Sequence, residues 1–67
     1  MAVCYDKLWK LLIDKKMKRT DLKVMAGISS NVLARMGHGE AVSLESLEKI
    51  CKLLHCEIGD IFEFIDA

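Results

Sequence analysis

A glycine at position 27 separates two helical runs that are too short to be stable alone, and this constrains the fold more than any other feature of the 67 residues. Residues 19–26 carry Leu22, Met25 and Ala26 at helical spacing, and residues 30–36 carry Leu33 and Met36. Isolated helices of about eight residues are marginal in water, so both runs must be held by packing. Gly27 accepts the left-handed conformation that stops a helix, Ile28 plugs inward, and Ser29 is a good N-cap for the second run. Gly37 and Gly39 end that run. A short helix, a turn of about three residues with glycine, and a second short helix make a helix-turn-helix, here residues 19–38. The N-cap of its first helix is ambiguous: Lys18 precedes the run, and Thr20 is the chemically better cap.

Three further helices are expected around this unit. Residues 4–16 place Tyr5, Leu8, Trp9 and Leu12 on one face. Ser43 caps a run over 44–54, with Leu44, Leu47, Ile50, Cys51 and Leu54 as its inner stripe. Ile58, Ile61, Phe62 and Ile65 recur at i, i+3, i+4, i+7, which predicts a fifth helix over 58–65. No strand is expected. The fold class is therefore all-α, a compact five-helix domain spanning 1–67. Hydrophobic residues make up 52% of the chain and proline is absent, in keeping with a packed domain rather than a disordered tail.

The formal net charge is zero, which by itself speaks against nucleic acid. Its distribution does not. Residues 1–38 hold eight bases (Lys7, Lys10, Lys15, Lys16, Lys18, Arg19, Lys23, Arg35) against Asp6, Asp14 and Asp21, a net +5. Residues 39–67 hold Lys49 and Lys52 against Glu40, Glu45, Glu48, Glu57, Asp60, Glu63 and Asp66, a net −5. Such asymmetry steers a polyanion to one side of a molecule, although two ordinary solvated faces carry the same pattern.

Other function classes find little footing. No apolar run approaches the roughly 18 residues of a membrane span, and the first residues lack the apolar core of a signal peptide, so a cytoplasmic location is expected. Cys4, Cys51 and Cys56 are odd in number and lack C-x-x-C spacing; with only His55 nearby they read as small apolar residues, and no metal or cofactor is expected. No nucleophile has a base and an orienting partner at recognisable spacing, so no catalytic residue is expected.

The stretches L-K-V-M-A-G-I-S-S-N-V-L-A-R-M-G-H-G-E (22–40) and V-S-L-E-S-L-E-K-I-C-K-L-L-H-C-E-I-G-D-I-F-E-F (42–64) resemble the lambda-repressor and Cro-like family, also called the xenobiotic-response-element type. The second stretch resembles its short subgroup, which is little more than the DNA-binding domain. The resemblance implies a transcriptional regulator of duplex DNA whose second motif helix enters the major groove. By position it implies that Ser30, Asn31, Val32 and Arg35 read bases. Arginine suits guanine O6 and N7, asparagine suits adenine N6 and N7, and valine suits a thymine methyl. It implies that Arg19, Ser29, His38 and Lys23 meet phosphates. Lys23 departs from the family, which prefers a small residue there because the helices approach closely, and Glu57 stands where a small cap is common.

Each assignment has a plainer counterpart. Ser30 and Asn31 can be simple helix-start residues, and Arg35 can pair with Glu40 on the surface. Lys10, Lys15 and Lys16 read first as a solvated face, and Trp9 reads as core. The fifth helix carries more apolar residues than one core face needs, so Ile61, Phe64 and Ile65 are expected to form a homodimer patch. The competing functional reading is a protein-interaction or antitoxin-like module that keeps the fold without reading DNA, since fold alone does not establish function.

Overall fold

The structure is a computed structural model describing residues 2–65; Asp66, one of the acids of the C-terminal half, lies outside it. A strand β1 (Ala2–Cys4) leads into four helices: α1 (Asp6–Asp14), α2 (Arg19–Ala26), α3 (Ser30–Gly37) and α4 (Leu44–Leu54). A single 3-10 turn (Ile58–Asp60) comes next, and β2 (Glu63–Ile65) ends the described chain.

The five-helix, all-α expectation is thereby corrected. The fifth helix over 58–65 does not form. In its place β2 pairs antiparallel with β1 in the register Ala2↔Ile65, Val3↔Phe64, Cys4↔Glu63. Cys4, expected inside the first helix, is in the strand, and that helix starts at Asp6. The physical grounds are local weakness and a distant partner. Gly59 lies within the run and costs a helix about 1 kcal/mol relative to alanine. Phe62, Phe64 and Ile65 are aromatic or β-branched types that fit a pleated surface. Residues 2–4, at the other end of the sequence, supply the ladder.

The core draws buried side chains from all four helices and from the segments that flank them. Tyr5, Leu8 and Leu12 come from the start and inner face of α1, and Leu22 comes from α2. Ile28 fills the turn and Met36 projects from α3. Leu47, Ile50 and Leu54 line α4, and Ile61 closes the lower end after the 3-10 turn. The buried Tyr5 also donates its hydroxyl to the Glu40 carbonyl at 2.9 Å, tying the start of α1 to the segment after α3. Gly39 approaches the terminal sheet so closely that a Cβ there would lie 3.2 Å from the Val3 carbonyl oxygen.

Two expected core residues are outside. Met25 is 61% exposed and Leu44 is 65% exposed. In α2 the buried face is centred on Leu22 and Ala26, with Lys23 half-buried at its edge. At about 100° per residue, Met25 falls on the far side of Leu22 from Lys23 and so leaves the core. Leu44 is the first residue of α4, beyond the end of the packed stripe.

Candidate nucleic-acid interface

The interface is built from how α2 and α3 begin and end. The α2 helix starts at Arg19, which makes Lys18, not Thr20, its N-cap. Lysine has no acceptor to offer the helix amides. The first turn is closed from the other direction, by Asp21 Oδ2 accepting the Lys18 backbone N–H at 3.0 Å. At the far end Gly27 adopts φ 72°, ψ 34°, and the Gly27 and Ile28 N–H groups both donate to the Lys23 carbonyl at 3.1 and 3.2 Å. The left-handed glycine turns the chain, and Ile28 anchors that turn in the core. Ser29 then caps α3, its Oγ accepting the Val32 N–H at 3.1 Å.

The anticipated contact residues differ in exposure. Ser30, Asn31 and Arg35 are exposed, and Asn31 and Arg35 sit one turn apart on the same face of α3. Met36, on the opposite side, is fully buried. Val32 is half-buried and packs against the core at the flank of this face. The Arg35 side chain does not pair with Glu40; the two residues meet through backbone, the Glu40 N–H donating to the Arg35 carbonyl at 2.9 Å. His38 caps the end of α3 and is exposed. Lys23 is half-buried, as expected of a lysine whose stem lies along apolar surface while its amine reaches water.

Among the described residues the side-chain ion pairs lie on α4, Glu45–Lys49 at 3.8 Å and Glu48–Lys52 at 3.1 Å. Among the described residues no base of the helix-turn-helix forms an ion pair with an acid of the C-terminal half. That separation keeps the charge asymmetry visible to a polyanion.

Arg19 is the residue whose environment the sequence did not reveal. Its guanidinium carbon stands 3.8 Å from the centroid of the Trp9 ring, across the junction of α1 and α2. Trp9 is half-buried, so it contributes to the core, as expected, and also presents a ring face to this arginine. Two positions ten residues apart on separate helices leave no periodic trace in a sequence.

The cysteine-bearing surface has a different character. Cys51 and Cys56 border an open cleft of about 440 Å³ with Glu48, Lys52, His55, Glu57 and Asp60. Burial, and then the neighbouring Cys56 side chain and the carboxylates of Glu57 and Asp60, push the Cys51 thiol up to about 11. Among the described residues no group of three His, Cys, Asp or Glu side chains is arranged to hold a metal ion. Nor is any described helix long and apolar enough to cross a membrane.

Residues 7–67 match the family described as the Cro/C1-type HTH DNA-binding domain. The uncharacterized HTH-type transcriptional regulator YozG of Bacillus subtilis (strain 168) is 39% identical over 56 residues, covering 81% of this chain and 67% of YozG. The crystal structure of the transcriptional regulator VanUg superposes with a TM-score of 0.90 at 48% identity, covering 92% of this chain and 83% of that one.

Proposed function

This chain belongs to the Cro/C1-type helix-turn-helix DNA-binding family, a family of non-enzymatic transcriptional regulators, and on that premise we propose how it reads its target. The α3 helix enters the major groove, with Ser30, Asn31, Val32 and Arg35 at base edges. Arg19, Lys23, Ser29 and His38 hold flanking phosphates. The observation that carries this reading is the exposed pair Asn31 and Arg35, one turn apart on the face of α3 turned away from Met36, with Arg35 in no ion pair among the described residues. Both side chains are of types that grip a base edge in bidentate fashion. Ser29 suits a double role, because its oxygen accepts the Val32 N–H while its hydroxyl proton remains to donate.

In this proposal residues 1–67 act as one reading domain in the cytoplasm, and two copies act together on half-sites about 34 Å apart. The dimer patch differs from the one expected from sequence. Ile61 is fully buried and drops out, and among the described residues no α-helix follows α4 to carry it. Of the expected patch Phe64 and Ile65 remain exposed on β2; Phe64 borders a groove with Val3, Val42 and Leu44 in its walls, and Ile65, its neighbour along the strand, lies outside that groove.

Selection of bound sequences from random duplex DNA tests the base-reading assignment. Arg35→Ala should relax preference at one base pair by about 1–3 kcal/mol. Unchanged preference would sink the assignment. Affinity should also fall steeply with salt, since each phosphate neutralised adds about 0.9 to the log–log slope. A flat response would favour a protein-interaction role instead.

A further inference from the structure

We propose that Trp9 is a positioning residue for DNA binding: it stacks on Arg19 and holds the guanidinium edge-outward toward a backbone phosphate. The inference rests on the reading of Arg19 as a phosphate contact and adds what prepares it. Three observations meet at this side chain. The guanidinium carbon lies over the Trp9 ring, 3.8 Å from its centroid, close enough for the flat face of the arginine to rest on the ring. Trp9 itself neighbours the buried Tyr5, the two rings tilted at 55° with centroids 6.5 Å apart. Arg19 Nη1 also reaches the last residue of α3: a Cβ on Gly37 would lie in ordinary contact with it, at 3.4 Å. The arginine thus spans α1, α2 and the end of α3, beside His38.

Stacking engages only the flat face of a guanidinium. The N–H donors lie in its plane and point outward, and no carboxylate among the described residues takes them. A planar fork with free edges matches two oxygens of one phosphate. A free arginine surrenders rotamer freedom when it grips a phosphate; one already laid on a ring has surrendered part of it beforehand. A packing role for the pair, with the arginine stem merely covering indole, predicts the same contact but not the same energetic coupling to DNA.

A double-mutant cycle separates the two. Binding is measured to a mixed-sequence duplex of about three helical turns, which reports backbone contacts without base reading. Trp9→Leu should weaken binding about two- to fivefold, the range of an exposed cation–π contact, and Trp9→Phe should restore most of the loss. Arg19→Ala should weaken binding and lower the salt slope by about 0.9. In the Arg19→Ala background, Trp9→Leu should have no further effect. An equal loss in both backgrounds would show that Trp9 acts through the fold and would overturn the proposal. Parental affinity in Trp9→Leu, with Arg19→Ala still weakened, would overturn the positioning role alone. An unchanged salt slope in Arg19→Ala would remove the phosphate contact itself, and the proposal with it. Should Trp9→Leu fail to fold, the chain's single tryptophan supplies the readout unaltered. Duplex binding should change Trp9 emission in the parent, and a change of the same size in Arg19→Ala would overturn the proposal.

Discussion

Ile61→Ala tests whether the C-terminal segment is a wall of the core or a surface for partners. The isoleucine sits just after the 3-10 turn and has 0% of its surface exposed. Truncation removes three buried carbons, and at about 0.8 kcal/mol per buried methylene the transfer loss is about 2.4 kcal/mol. The cavity left behind adds to this, giving about 2–5 kcal/mol in all. A chain of this size is expected to have a stability of about 3–10 kcal/mol, so the loss is a large fraction of the whole. At about 4–8 °C per kcal/mol, Tm should fall by about 10 °C or more. Phe64→Ala is the control, because Phe64 is 63% exposed and should cost the monomer less than about 1 kcal/mol. Thermal melts recorded by far-ultraviolet circular dichroism, at concentrations where each variant is monomeric, compare the two. A shift under about 4 °C for Ile61→Ala, or an equal shift for Phe64→Ala, would refute the assignment of Ile61 to the core.

Backbone geometry and titration give two other expected outcomes. Gly27→Ala meets no atom within 4 Å, so its cost is conformational: about 1–2 kcal/mol for a left-handed alanine, read as a lower Tm. An unchanged Tm would mean that the turn relaxes away from φ 72°. The Cys51 thiol, raised from 9.0 to about 11 chiefly by burial, is held neutral by the fold. The unfolded chain therefore releases its proton first, and stability present below pH 9.0 is lost as pH rises toward about 11. Denaturant melts across that window should show a smaller drop in Cys51→Ala, and an identical drop would contradict the shift.

The helices that carry their own signals were legible. Gly27, Ser29 and Ser43 mark turns and caps through contacts within four residues, and α2 ends and α3 and α4 begin where these marks place them. Exposure along each helix was less secure. Met25 and Leu44 fit an apolar stripe, but which flank of a stripe is covered depends on neighbours elsewhere in the chain. Family membership was legible too, because the motif residues and their spacing lie within one continuous stretch, positions 22–40.

What the amino-acid order determined alone was the helix-turn-helix and the chemistry of its outward face, both products of short-range spacing and capping. The tertiary structure decided the rest. It turned the apolar run at 58–65 from helix into a 3-10 turn and a strand, because Ala2–Cys4 reaches it only in the folded chain. It set Trp9 against Arg19 by the crossing of α1 and α2. Both depend on contacts between residues distant in sequence or on different helices, and a periodicity read over one or two turns carries no information about them.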